Sequence, residues 1–186
     1  MKKIFQLHYL LLKVAIAIAL LSTLDSSALA QTANQSLFSN SKSIFLSQNS
    51  GEDLLLQAAA LLNKQRYQEA SVVFDKLISL YPNVPEIWMG RGAALAGAKR
   101  YNEAIASFDR AIQLKPGVAD VWFGRGVALA GLNRDREAVS SFDKALQIKP
   151  DFPEAWNLRG NALVNLNRYQ DASASFSKAL QFKPDY

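Results

Sequence analysis

Trp88-Met89-Gly90-Arg91-Gly92 recurs in closely similar form as Trp122-Phe-Gly-Arg-Gly and Trp156-Asn-Leu-Arg-Gly, at a spacing of 34 residues. Other residues recur at the same spacing. They are Leu95, Leu129 and Leu163; Ala104, Ala138 and Ala172; Phe108, Phe142 and Phe176; and Pro116, Pro150 and Pro184. A fixed period of this length is typical of repeat proteins in which each unit packs on its neighbours along the chain.

Each period contains the pattern of two helices. Trp88, Gly92 and Leu95 fall on one helical face, and Phe108 and Ala111 share a face of a second helix. The polar segment between the helices is short, so we expect them to be antiparallel neighbours. The prolines lie where a second helix must stop or the next first helix begins. The pattern predicts helices at 52–64, 68–81, 86–98, 102–115, 120–132, 136–149, 154–166 and 170–183.

The repeated Trp, Gly, Leu, Ala, Phe, Ala and Pro positions resemble the tetratricopeptide repeat (TPR) family. In phase with Trp88, the chain divides into repeats at 51–84, 85–118, 119–152 and 153–186. The first repeat departs most, since Leu54 replaces Trp and Gln57 replaces Arg. The resemblance implies an all-α fold, a right-handed TPR solenoid of four helix-turn-helix repeats.

Three tryptophans and three glycines form the structural signature of these repeats: Trp88, Gly92, Trp122, Gly126, Trp156 and Gly160. A glycine inside a helix costs about 1 kcal/mol relative to alanine. Its recurrence at one repeat position therefore indicates a close approach of two helices. We expect the tryptophans to lie in the interior of their helix pairs rather than on a ligand-binding surface.

In the TPR family the first helix of each repeat lines a concave groove, and the resemblance assigns candidate partner-binding residues by position. They are Leu55, Met89, Ala93, Phe123, Val127, Asn157 and Asn161. We expect Met89 and Phe123 to stand up from a shallow apolar floor that suits a peptide or helix with apolar anchors. A row of arginines, Arg91, Arg125 and Arg159, follows the same helices. Pairing with acidic neighbours is favoured over a cationic row beside the groove.

The first fifty residues have a different composition. A basic start, an apolar run at 14–21 and Ala28-Leu29-Ala30 before Gln31 predict a bacterial-type signal peptide over 1–30, with an uncleaved membrane anchor as the alternative. Residues 31–50 are rich in Ser, Asn and Gln, which predicts a flexible linker. Within it, Ser43-Ile44-Phe45-Leu46 is interpreted as an apolar patch in a disordered segment, or as a segment that docks on the first repeat or groove.

Composition argues against several functions. The chain has no cysteine, and its only histidine is His8, inside the predicted signal peptide. The mature protein would lack the commonest general base, thiol nucleophile and zinc ligands, so we expect no enzyme activity, cofactor or metal. A formal charge of +5 with alternating signs does not favour nucleic-acid binding. We expect no membrane span after signal removal, and Glu86, Asp120 and Glu154 argue against a C-terminal carboxylate as ligand.

These observations predict an exported, non-catalytic scaffold that binds a peptide or helix of a partner protein. Two alternatives remain. Helix 170–183 has no further repeat after it in the sequence, so apolar residues there predict a self-association surface, or a repeat array that continues beyond this chain. The protein could also serve as an accessory subunit of an envelope enzyme complex.

Overall fold

The computed structural model describes residues 51–184, in which eight α-helices follow one another through short turns. The helices are α1 (Gly51–Asn63), α2 (Tyr67–Leu80), α3 (Pro85–Gly97), α4 (Tyr101–Leu114), α5 (Ala119–Gly131), α6 (Asp135–Ile148), α7 (Pro153–Asn165) and α8 (Tyr169–Phe182). Each helix begins and ends one residue earlier than predicted, and the all-α solenoid is confirmed. The predicted signal peptide, the linker and the segment Ser43–Leu46 lie outside the described residues.

The turn inside each repeat has a left-handed residue. Gln65, Lys99, Asn133 and Asn167 have φ angles of 56°, 61°, 58° and 60°. In the second repeat, Lys99 N–H donates to the Ala96 carbonyl at 2.9 Å and Arg100 N–H donates to the Leu95 carbonyl at 2.8 Å. This is a Schellman-type helix ending, and it satisfies carbonyls that the first helix leaves without partners. The chain therefore reverses sharply, and the second helix returns beside the first.

Glycine permits the close contact between the two helices of a repeat. A Cβ atom added at Gly92 would lie 2.8 Å from the Phe108 ring, and one added at Gly126 would lie 2.6 Å from the Phe142 ring. Gly160 has the same relation to Phe176. These distances are shorter than carbon atoms tolerate, so the structure gives a steric reason for glycine at this position.

Aromatic rings also pack on glycines of the following repeat. A Cβ atom added at Gly124 would lie 2.6 Å from the ring of Phe108 in the preceding repeat. One added at Gly131 would lie 2.6 Å from the ring of Tyr101. Phe108 is only 2 % exposed, because α3 covers one side of its ring and α5 the other. The same aromatic residues thus hold the helix pair together and stack one repeat on the next.

Each tryptophan lies at the junction between two repeats. Trp122 Nε1 donates a hydrogen bond to the Pro116 carbonyl at 2.9 Å, and Trp88 and Trp156 make equivalent bonds to the carbonyls of Pro82 and Pro150. The rings are half-buried against the core. Each tryptophan ring therefore packs against the core, and its indole N–H finds an acceptor in the loop of the preceding repeat.

The arginine row joins consecutive repeats. Arg125 Nε donates to Asp109 Oδ1 of the preceding repeat at 2.7 Å, and its Nη1 donates to Ser141 Oγ of its own repeat at 2.8 Å. The other two arginines make the same bonds: Arg91 to Asp75 and Ser107, and Arg159 to Asp143 and Ser175. Pairing with acidic neighbours is thus confirmed, and these guanidinium groups act in stacking.

The arginine, aspartate and serine of these contacts form a bridge between repeats, and some of these residues are replaced in the first and fourth repeats. The first repeat has Gln57 and Val73 where the later repeats have arginine and serine. The fourth repeat has Ser177 where the earlier repeats have the aspartate. The first and fourth repeats therefore carry uncharged residues where the other repeats carry the arginine or the aspartate of the bridge.

A candidate partner-binding groove

The first helices of the repeats line the inner side of the stack. Helix α3 contacts α5, and α5 contacts α7, in addition to the contacts that each makes with its own second helix. Each second helix mainly contacts the first helix of its own repeat and that of the next repeat. The inner, concave surface is therefore made by α1, α3, α5 and α7, as the TPR resemblance implies.

Three of the predicted groove residues are not available to a partner. Leu55, Met89 and Phe123 are 0 %, 5 % and 7 % exposed and belong to the core. The Phe123 ring lies 5.9 Å from the Phe142 ring and 4.8 Å from the Phe152 ring, measured between centroids. The expectation that Met89 and Phe123 stand up from the floor is wrong, because apolar side chains at this position are covered by neighbouring helices.

The accessible inner surface lies further along each first helix. Ala93 and Val127 are half-buried, and Asn161, at the same repeat position, is exposed. Ala96 and Ala130 are also half-buried, while Val164 is 40 % exposed. The surface is therefore apolar and shallow in the second and third repeats, and it is more polar in the fourth repeat, which carries Asn161.

Helix α7 differs from the other first helices in its amide side chains. Asn157, Asn161 and Asn165 are four residues apart and lie on one side of the helix. Asn157 is half-buried, whereas the other two are exposed. Within residues 51–184, the amides of Asn157 and Asn161 have no hydrogen-bond partner. The repeat register predicted Asn157 and Asn161 as groove residues, but it did not predict Asn165.

Asn165 is held by the preceding repeat. Its Nδ2 donates a hydrogen bond to Asp135 Oδ1 at 3.1 Å. At this pair of positions the earlier junctions place a tyrosine ring on a glycine, namely Tyr67 on Gly97 and Tyr101 on Gly131. Aspartate therefore replaces tyrosine where asparagine replaces glycine, a paired change that the repeat register alone would have revealed.

Charges near the start of the inner helices are partly paired. Lys115 Nζ lies 3.6 Å from Glu86 Oε1, and Lys149 Nζ lies 4.7 Å from the centroid of the Phe152 ring. Among the described residues, no group of three or more His, Cys, Asp or Glu side chains is arranged to hold a metal ion. The accessible inner surface therefore combines apolar and amide groups at Ala93, Val127 and Asn161 with charged groups near the start of the inner helices.

The shifted pKa values belong to surface ion pairs at the turns of the first three repeats. A hydrogen bond from Arg134 lowers the pKa of the Glu137 carboxyl and raises the pKa of the Arg134 guanidinium. The pairs Arg66–Glu69 and Arg100–Glu103 behave in the same way. All three carboxylates are exposed beside the first turn of a second helix. These shifts reflect local pairing at the turns.

The fourth repeat exposes apolar side chains on α8, and the first repeat has an open cavity. On α8, Tyr169 and Leu180 are 63 % and 49 % exposed, whereas Tyr101 is half-buried and Leu146 is buried at the same repeat positions. Between α1 and α2 there is an open cavity of about 470 Å³, lined by residues that include Gln57 and Val73.

Across residues 51–184, no helix combines the length and apolar character needed to cross a membrane.

Comparison with known proteins agrees with this architecture. Models of the tetratricopeptide repeat match residues 55–119, 95–160 and 153–186. Among solved structures, the chain resembles MamA 41-end from Desulfovibrio magneticus RS-1, with 22% identity over 86% of this chain and 96% of that chain and a TM-score of 0.72. This likeness concerns the fold alone.

Two further solved structures are similar. A MamA RS-1 double mutant has 25% identity over 74% of this chain and 78% of that chain, with a TM-score of 0.69. The Arabidopsis OM64 TPR domain has 29% identity over 55% of this chain and 84% of that chain, with a TM-score of 0.54. No curated protein matches the chain significantly. From the matched repeats and the helical stack that they form, we conclude that the chain belongs to the tetratricopeptide repeat family.

Proposed function

We propose that this protein is an exported, non-catalytic scaffold that binds a segment of another protein on its concave surface. One observation carries the proposal. The repeats agree at the positions that join helices, yet differ at the accessible inner position occupied by Ala93, Val127 and Asn161. Stacking of the repeats requires only a small residue at this position. The change from alanine to valine to asparagine therefore gives each repeat a different contact surface. An apolar surface that ends in amide groups suits a protein segment better than a nucleic acid or a metal.

A substitution at the inner surface tests this proposal. The partner is first identified by crosslinking and affinity purification of the full chain from the cell envelope. Val127→Asp should then weaken binding of that partner at least about tenfold, because it buries a charge in an apolar contact. Ser140→Asp is the matched control, since Ser140 is exposed on the second helix of the same repeat. Unchanged affinity of the folded Val127→Asp variant would contradict the groove assignment.

Export rests on the sequence of residues 1–30. The basic start, the apolar run and the Ala-Leu-Ala site support cleavage before Gln31 and a periplasmic or secreted mature protein. N-terminal sequencing of the protein recovered from outside the cytoplasm should begin at Gln31. A membrane-bound form that retains Met1 would instead support an N-terminal anchor.

A second candidate function is self-association through α8. The exposed Tyr169 and Leu180 favour it, because such apolar groups commonly mark interaction surfaces. Light scattering should then show concentration-dependent association that Leu180→Lys abolishes. A wild-type protein that stays monomeric at high concentration would exclude this function.

A further inference from the structure

We infer that residues 33–50 of this chain form an incomplete repeat, a single second helix and its loop, that packs on α1 and closes the cavity of the first repeat. The later repeats show what covers this side of a first helix, since α3, α5 and α7 each contact the second helix of the preceding repeat. Within residues 51–184, no second helix precedes α1. On this side α1 exposes 38 % of Leu56 and borders the open cavity.

The sequence before α1 continues the register of the second helices. One period before α2 and the loop that follows it lie residues 33–46 and 47–50. Three positions in this segment keep the residue class found in all four described second helices. They are the cations Lys42, Lys76, Arg110, Lys144 and Lys178; the apolar residues Ile44, Ile78, Ile112, Leu146 and Leu180; and the apolar residues Leu46, Leu80, Leu114, Ile148 and Phe182. The segment thus has the length and the apolar spacing of a second helix.

Side-chain size at the proposed junction changes in a complementary way. In a later junction the Phe108 ring packs on Gly124 of the following repeat. The first repeat has Leu56 at the glycine position, and the segment has the smaller Asn40 at the phenylalanine position. A larger residue on one side therefore accompanies a smaller residue on the other.

A second contact shows the same exchange and distinguishes the segment from another copy of the protein. Tyr101 packs on Gly131, whereas Ala33 and Asn63 occupy these two positions at the proposed junction. The α8 helix of another copy would instead bring Tyr169 against Asn63, a large residue against a large one. The chain's own segment is therefore the better fit to α1.

The polar groups of the junction also correspond. Each later junction joins an arginine to an aspartate of the preceding repeat and to a serine of its own. Gln57 and Ser41 occupy the arginine and aspartate positions here, and Val73 occupies the serine position. An amide and a hydroxyl can share a hydrogen bond without burying a charge. Gln57 and Val73 line the cavity, so a helix in this place would cover it.

Labelling of single cysteines tests the inference, because the chain has no cysteine of its own. Ile44→Cys and Phe45→Cys are introduced separately into the full chain, and the rate of reaction with a thiol reagent is measured. At the same repeat positions in α2, Ile78 is half-buried and Ser79 is exposed. Ile44→Cys should therefore react about tenfold more slowly than Phe45→Cys.

A further substitution shows which surface protects the thiol. Leu56→Asp places a charge in the proposed contact and should raise the reaction rate of Ile44→Cys to that of Phe45→Cys. Ser140→Asp, on the exposed side of α6, is the matched control and should leave the rate unchanged. Circular dichroism confirms that both variants are folded.

Three results would overturn the inference. In the first, the two cysteines react equally fast. In the second, Ile44→Cys reacts slowly but Leu56→Asp has no effect, which would place the segment on another surface. In the third, protection rises with protein concentration, which would assign the contact to the segment of a second copy. None of these measurements involves a partner protein, so they test the inference separately from the proposed function.

Discussion

Arg125 and Asp109 lie sixteen residues apart and connect two consecutive repeats through a hydrogen bond of 2.7 Å from Nε to Oδ1. The arginine side chain is 23 % exposed and the aspartate side chain is 44 % exposed, so solvent screens this pair only in part. The same arginine bonds Ser141 of its own repeat, which is buried. One guanidinium therefore joins three helices, and it recurs at each of the three junctions.

Removal of this bridge should weaken the stack. Arg125→Ala breaks both bonds and leaves the buried Ser141 hydroxyl without its donor, so we expect a loss of about 1–2 kcal/mol in unfolding free energy. Chemical denaturation monitored by circular dichroism measures it. Arg134→Ala removes only an exposed pair within one turn and should cost less. Equal losses for the two variants would contradict a stacking role for Arg125.

A larger side chain at the close helix contact should be strongly destabilising. A Cβ atom at Gly126 would lie 2.6 Å from the Phe142 ring, so Gly126→Leu must displace that ring or separate α5 from α6. We expect a cost of several kcal/mol. Gly117→Ala is the control, since a Cβ atom there meets nothing within 4 Å. A Gly126→Leu melting temperature within a degree of wild type would refute this explanation.

The turn residues predict a stabilising change. Lys99 has φ 61°, a conformation in which asparagine is more favourable than lysine, and Asn133 and Asn167 occupy this position in later repeats. Lys99→Asn should therefore raise the unfolding free energy by about 0.5–1 kcal/mol. Asn133→Lys should lower it by a similar amount. Thermal melting of both variants checks the prediction, and shifts in the opposite directions would contradict it.

The surface pairs predict a pH effect of known sign. The hydrogen bond from Arg134 holds the pKa of Glu137 below its ordinary value in the folded protein. Its stabilising contribution is therefore present above the ordinary pKa and disappears as the pH falls through the lowered one. Carbon-13 NMR titration of the Glu137 carboxyl should show this lowered pKa. In Arg134→Gln it should return towards the ordinary value, and an unchanged pKa would assign the shift to another cause.

The repeat period predicted the fold in detail because the same residue type recurs at each structural position in successive repeats. Trp, Gly, Phe and Pro recur in register, and their spacing placed every helix within one residue of its observed bounds. The partner of each Trp N–H was missed, since the period does not say which repeat supplies the acceptor. The carbonyls of Pro82, Pro116 and Pro150 supply it.

The candidate groove was predicted less well. Repeat position assigned Met89 and Phe123 to the inner side, but it carries no information on depth. Depth depends on how neighbouring repeats pack, and Phe142 and Phe152 cover Phe123. Asn161 is exposed on α7, and its place in a partner-binding groove stays a prediction.

Site-specific photo-crosslinking shows which surface of the folded protein a partner contacts. A photoreactive amino acid is placed at Asn161, which is exposed on α7, or at Ser140, which is exposed on the second helix α6. The full chains are then irradiated in cells. Concave-surface binding predicts a crosslinked partner protein from position 161 and none from position 140. Crosslinks from position 140 alone, or the same crosslinks from both positions, would contradict it.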